Sequence, residues 1–310
     1  MRYTGPGNDR ALDMMKLALG PIPYFWPRDR VHAFYERVAE WPVDIVYIGE
    51  TVCPKRRDIT LEDWLALADG LTAAGKEVVL STLVLLEAGS ELGALQRICG
   101  NGRFPVEAND MSAVQMLSGH GPFVAGPHIN VYNGETLALL AECGARRWVL
   151  PVELSGATLA DLQAQRPAGM ETEVLAFGRL PLAASARCFT ARAHNLPKDQ
   201  CDFCCADYPG GVPMKTQEGE NLFTMNGVQL LSAAPCNLLG AVSTFESLDV
   251  DVMRIVPQPD GTEEAVSAFR AVMGGYLDAA AAEEMLAPFA PAGWCNGYWH
   301  GEEGMAWRAW

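Results

Sequence analysis

Short apolar runs separated by amphipathic stretches recur along this chain, and that alternation narrows its fold more than any other feature. Ile22–Trp26, Asp44–Ile48, Glu77–Leu83, Phe104–Glu107, Phe123–Ala125, Trp148–Pro151, Thr172–Phe177 and Val252–Val256 read as strands. Helical periods fill the gaps at Arg28–Ala39, Leu61–Ala74, Glu91–Ile98, Ala113–Leu117, Gly134–Cys143, Leu159–Gln165 and Thr262–Met273. Asp29 and Thr60 stand at N-cap positions, and Gly75 and Gly144 stand where helices end. About eight strands in alternation with helices predict an α/β chain whose parallel sheet closes into a TIM-barrel-like (β/α)8 fold. At 310 residues the chain can bury such a core as a single barrel-type domain over 1–310.

Polar residues close several of the predicted strands: Glu50, Ser81–Thr82, Glu107–Asn109, His128–Asn130 and Glu153. In a parallel barrel those carboxyl ends gather on one face, where sites are built from the βα loops. The set predicts a concave functional face, although any one of these residues could simply end its strand.

The alternation fails from about Ala183 to Gln229, where Cys, Pro, Gly and Asp are plentiful. We read 183–235 as an inserted cysteine-rich segment with a hairpin at Phe223–Leu231, turning at Asn226–Gly227. Four of the nine cysteines fall here, as Cys188-x12-Cys201-x2-Cys204-Cys205. Cysteine is kept more often for reactivity or metal binding than for packing. Cys201 can pair with Cys204 or with Cys205 on one centre, whereas the adjacent Cys204 and Cys205 point apart. The segment thus offers three ligands and needs a fourth, for which Cys53, Cys236 and Cys295 are candidates. Cys99 and Cys143 end predicted helices and read as packing residues. Four thiolates suit a [4Fe-4S] cluster or a zinc ion, and a redox dithiol at Cys201–Cys204 is a third option.

Net charge is 23 − 38 = −15, which disfavours non-specific binding to nucleic acid or anionic membrane. No apolar run approaches the roughly 18 residues of a membrane span. The start, M-R-Y-T-G-P-G-N-D-R, lacks the pattern of a signal peptide. The expectation is a soluble, cytoplasmic protein. Against this acidity, Lys55-Arg56-Arg57 forms a basic run that reads as an anion site, as cations tuning the potential of a cluster beside it, or as a solvated loop. Arg187 and Arg192 flank Cys188, and Tyr298, Trp299, Trp307 and Trp310 crowd the C-terminal end, as a partner surface or a barrel cover.

Several long stretches resemble the collagenase-like peptidase family, and within it the members that serve oxygen-independent ubiquinone biosynthesis. They are Y-I-G-E-T-V-C-P-K-R-R (47–57), G-K-E-V-V-L-S-T-L (75–83), P-F-V-A-G-P-H-I-N-V-Y-N (122–133) and R-W-V-L-P-V-E-L-S (147–155), then G-R-L-P-L-A-A-S-A-R-C-F-T-A-R (178–192), P-K-D-Q-C-D-F-C-C (197–205) and C-N-G-Y-W (295–299). The resemblance implies a barrel and a [4Fe-4S] cluster on the cysteines of E-x-V-C and A-R-C-F and the first and last of C-x-x-C-C. In this chain those are Cys53, Cys188, Cys201 and Cys205, with Cys204 a neighbour. It also implies a heterodimer with a UbiU-like protein, and joint hydroxylation of the ubiquinone ring without dioxygen, prephenate being the oxygen source. An all-cysteine cluster has no open iron, so its expected role is electron transfer. The family's peptidase signature carries a histidine–glycine pair and an extra cysteine where this chain has Phe177–Gly178 and Pro181, which speaks against peptidase chemistry. The rival readings are a zinc-stabilised, non-redox scaffold subunit and a peptidase or RNA-modifying enzyme of the same superfamily.

Overall fold

The computed structural model describes residues 15–310, so the reading of the first fourteen residues lies outside the described residues. In chain order the elements are β1 (Lys16–Leu19), α1 (Arg28–Val38), β2 (Ile45–Ile48), α2 (Leu61–Ala73), β3 (Glu77–Ser81), α3 (Gly89–Cys99), β4 (Val106–Ala108), α4 (Met111–Leu117), β5 (Phe123–Ala125), α5 (Gly134–Cys143), β6 (Ala145–Val149), α6 (Gly156–Gln163) and β7 (Glu171–Ala184). They continue with α7 (Phe189–Ala193), β8 (Val212–Lys215), β9 (Asn221–Asn226), β10 (Gln229–Asn237), α8 (Val242–Ser247), β11 (Val252–Ile255), α9 (Thr262–Met273) and α10 (Ala279–Leu286).

Strands β1 to β7 pair in sequence and in parallel, and β11 closes the ring by pairing with both β7 and β1. The result is an eight-stranded (β/α)8 barrel of the TIM type, as the alternation predicts. Strand β7 is far longer than the predicted Thr172–Phe177. Its first half lies in the barrel, while its second half pairs antiparallel with β10, which in turn pairs with β9 and β9 with β8. Gly178 (φ +120) marks the change of company: a Cβ there would sit 2.8 Å from Val256 Cβ. Only glycine gives the strand that bend.

One predicted strand is not a strand. Ile22–Trp26 runs without ladder bonds between Pro21, Pro23 and Pro27, which cannot supply the N–H donors a ladder needs, although Ile22, Tyr24, Phe25 and Trp26 are all buried. The first barrel strand is instead the short β1, buried from Leu17 to Leu19 and bonded to β11 and β2. Asp29 lies inside the first turn of α1, with Pro27 at its N-cap; Thr60 does cap α2, in a reciprocal box with Asp63. The hairpin turn is Gly227–Val228 rather than Asn226–Gly227, because Asn226 still pairs with Gln229.

The barrel axis is filled by Ala18, Ile45, Tyr47, Val79, Val124, Val149 and Val252. Around them lies a charged layer. Arg254 donates to Glu173 (2.6 Å) and Glu107 (2.7 Å), and its guanidinium lies 3.9 Å over the Tyr47 ring. Tyr47 donates to the other Glu173 oxygen (2.5 Å), and Arg147 reaches Tyr47, Glu171 and Glu77. Ser81 and Asn109 both donate to Glu107. Burial alone would raise the Glu107 carboxyl, but the Arg254 cation and these donors together hold it below the usual carboxylate range.

Removing one partner of such a network strands a buried charge. Arg254→Met should therefore lose about 3–5 kcal/mol in urea denaturation, more than Tyr47→Phe, which removes a neutral hydroxyl and should cost about 1–3 kcal/mol. Because the Glu107 pKa is depressed on folding, its contribution to stability is present above the unfolded carboxylate value, about 4.3, and is lost as pH falls through the folded value. Unfolding curves from pH 7 to 3 check that direction.

Candidate functional site

Three of the cysteines share one small apolar cluster. Val52, Cys53, Cys188, Ala191 and Val228 are its buried members, with Leu196 and Cys201 packed against it. Cys205 is close enough to Cys53 and Cys188 to feel both, and Cys204 feels Cys188 and Cys201. Cys205 also senses the Arg56 cation, and Cys204 senses Asp207. Burial pushes the Cys205 thiol up to about 11, with Arg56 opposing. It also raises Cys53 and Cys204, the reverse of what an activated redox dithiol shows.

Each thiol is positioned by a local device. Cys53 follows β2 in a loop held by Glu50, whose carboxylate accepts from the Val52 N–H (2.8 Å) and the Cys53 N–H (2.9 Å). That is the physical content of E-x-V-C: the acid caps the turn that turns the thiol inward. Cys188 caps the five-residue α7, its sulfur accepting from Ala191 N–H at 3.4 Å. Between Cys201 and Cys204, Asp202 (φ 44) and Phe203 (φ 54) are both left-handed. Two such residues in succession cost about 1–3 kcal/mol each, and they reverse the chain so that Cys201 and Cys205 approach the same cluster.

The basic run divides into three different roles. Arg56 is buried, donating to Pro23 O (2.9 Å) and Asn226 Oδ1 (3.0 Å), and its Nε is buried with no partner. Gly227 packs against it: a Cβ there would meet Arg56 Nη2 at 2.9 Å. The Gly227 N–H donates to Thr190 and its carbonyl accepts from Phe189, which docks the hairpin on α7. Lys55 donates to the Lys198 carbonyl, and Arg57 is exposed. Reading 55–57 as one solvated loop therefore fails at Arg56, which is a buried clamp. Arg187 and Arg192 are exposed.

The remaining sequence candidates sort cleanly. Cys236 and Cys295 sit in the main core as free thiols whose backbones pair in an isolated β-bridge, apart from the thiol cluster. Cys99 and Cys143 end α3 and α5 and pack on the core. Tyr298 and Trp299 also pack on the core, Trp299 against Phe245, while Trp310 keeps an exposed face. Of the strand-end residues, Ser81, Thr82, Glu107 and Asn109 belong to the barrel interior, and His128, Asn130 and Glu153 line a cavity at the mouth. The half-buried His128 is held below its usual pKa by burial, against the pull of Glu107. Arg179 and Arg254, which the sequence reading passed over, line a neighbouring cavity. Arg254 sits in a four-residue apolar-looking strand, where an isolated charge was the available signal.

A family model for peptidase family U32 matches residues 30–309. The chain belongs to peptidase family U32. Among solved structures, this U32 chain is similar to a U32 peptidase, Mk0906, at 12% identity and a TM-score of 0.45, over 83% of this chain and 98% of that one. It is also similar to dihydropteroate synthase from Thermus thermophilus, at 13% identity and a TM-score of 0.41, over 85% and 97%. Tryptophan synthase from M. tuberculosis matches at 12% identity and 0.42, over 91% and 94%. Among the described residues, no helix is long and apolar enough to cross a membrane.

Two neighbours in the basic run should respond oppositely to mutation. Arg56→Met takes the donor from Asn226 Oδ1, one of two donors from the Pro23 carbonyl and the cation from beside Glu50, and should cost about 2–4 kcal/mol in chemical denaturation. Arg57→Gln should stay within about 0.5 kcal/mol of the parent.

Proposed function

We propose that this U32 chain is a UbiV-type component of oxygen-independent ubiquinone biosynthesis: a cytoplasmic iron–sulfur subunit that assists ring hydroxylation together with a UbiU-like partner. One observation carries the reading. Cys53 and Cys188 are buried in one apolar cluster beside the barrel mouth, Cys201 packs against it, and Cys205 lies close to both buried thiols. These are the four positions that the family resemblance marks as ligands of a [4Fe-4S] cluster.

The residues fit such a group on two counts. The donors are all soft thiols, which suit iron–sulfur chemistry. A buried cation, Arg56, stands beside Cys205 with an orphaned N–H, and an anionic thiolate-bound group supplies what that nitrogen lacks.

Bound there, the cluster supplies one-electron transfer, since four thiolates leave no iron open to substrate. The chain's own part is to aim the thiols, keep water from Cys53 and Cys188, and fix a positive charge at Cys205. Prephenate as oxygen source and the UbiU-like partner belong to the same reading and come from the family resemblance.

Anaerobic purification tests it. The expected protein is brown, absorbs broadly near ~400 nm and carries about four irons per chain. Cys53→Ala, Cys188→Ala, Cys201→Ala and Cys205→Ala should each lose iron, and Cys204→Ala should keep most of it. A colourless protein with one zinc sinks the proposal. Loss of iron in Cys204→Ala but not in Cys205→Ala overturns the ligand assignment. Co-purification with a UbiU-like protein checks the partner.

A further inference from the structure

Of the three cations in the 55–57 run, only Arg56 is withdrawn from solvent, its side chain 2% exposed. Lys55 is partly exposed and Arg57 lies at the surface. A buried cation is costly unless its surroundings compensate it. Here the compensation comes mostly from neutral oxygens. Nη1 and Nη2 donate to the Pro23 carbonyl and to Asn226 Oδ1, and Nε is buried with no partner. Glu50 is the acid beside it, 3.6 Å away, and the same Glu50 oxygen already accepts from the Val52 and Cys53 N–H groups. The buried Phe25 ring lies under the guanidinium at 5.4 Å and meets Phe203, between Cys201 and Cys204, at 5.8 Å.

The same cation reaches the thiols. Cys205 meets Arg56 as a hydrogen-bond donor as well as a charge, and Cys53 senses the charge. The hairpin turn fixes its place, because a Cβ on Gly227 would meet Arg56 Nη2 at 2.9 Å. Gly227 also accepts from the Phe189 N–H and donates to Thr190, at the head of α7 beside Cys188. One turn therefore locates both the cation and a thiol.

Resting on the [4Fe-4S] reading above, we infer that Arg56 sets the reduction potential of the group held by Cys53, Cys188, Cys201 and Cys205. Its buried charge raises that potential, and Glu50 is the counterweight. A low-potential one-electron donor adds one negative charge to the thiolate-bound group, with no bond formed or broken. A fixed positive charge favours that reduced state, and an N–H given to a ligand sulfur favours it again. Burial makes the effect large, since neither water nor salt screens the charge as they screen Arg57, Arg187 and Arg192 at the surface.

Dye-mediated redox titration of the anaerobically purified full chain tests it, with iron measured on every variant. At a fixed applied potential the reduced-to-oxidised ratio in Arg56→Gln should fall about 10-fold or more, a midpoint about 59 mV lower for one electron. Arg56→Lys keeps the charge without the fork and should fall by less, while Arg57→Gln should stay within about 2-fold of the parent. Glu50→Gln keeps an oxygen for both N–H groups but removes the negative charge, so its ratio should rise about 3-fold or more. Opposite signs at two neighbouring side chains separate a charge effect from a loss of packing, and Glu50→Gln carries the test if Arg56→Gln holds no iron. An iron-loaded Arg56→Gln within about 2-fold of the parent overturns the inference, as does a Glu50→Gln whose ratio falls or stays put. A brown parent whose potential ignores both variants leaves the four-thiol reading standing; a parent without iron removes both.

Discussion

Strand β7 belongs to two sheets at once, and the rest of the molecule depends on that. Its first half pairs in parallel with β6 and β11 and completes the barrel wall. Its second half leaves the barrel at Gly178 and pairs antiparallel with β10, which brings the β8–β10 sheet over the mouth. Everything placed beyond that point inherits its position from the barrel: Cys188 at the head of α7, Val228 and Gln229 in the hairpin, and Pro181 and Leu182 in the cavity wall. A continuous hydrogen-bonded strand is a stiffer link than a loop, so the thiols and the cavity are held in register with the barrel axis.

Beneath that arrangement the barrel interior carries an ionic layer where aliphatic side chains would have sufficed for packing. Paired charges in a core contribute little net stability against apolar replacements of the same size. What they supply here is direction. Glu107 and Glu173 leave one guanidinium nitrogen of Arg254 free, and Arg147, with its own acids on the other side, keeps Tyr47 on Glu173. Arg56 repeats the device at the thiol cluster, with a carbonyl and an amide as acceptors, Glu50 as its acid at 3.6 Å and Nε left without a partner.

The barrel was legible because period-2 and period-3.6 patterns alternate, and seven of the eight proposed strands overlap barrel strands. The eighth, Ile22–Trp26, misled because buried aromatics imitate a strand while the prolines around them forbid a ladder. Lys16–Leu19 escaped notice as a four-residue run, too short to carry a period. The length of β7 was hidden by Gly178 and Pro181, which read as breakers but serve as the bend and edge of a strand changing sheets. Cysteine spacing exposed the site itself, and the family resemblance pointed to Cys53, which the structure brings to Cys188. Arg179 and Arg254 could not be read out, since what distinguishes them is the set of groups each one meets, and sequence does not record who faces whom.

The left-handed pair Asp202–Phe203 has a consequence for the order in which the molecule comes together. Its backbone cost is repaid only when Cys201 and Cys205 reach partners that lie most of the barrel away in sequence, and such distant contacts form late. The thiol cluster therefore cannot template the fold. It is assembled on a finished ring, and its completeness reports that every strand between β2 and β7 has already found its neighbour.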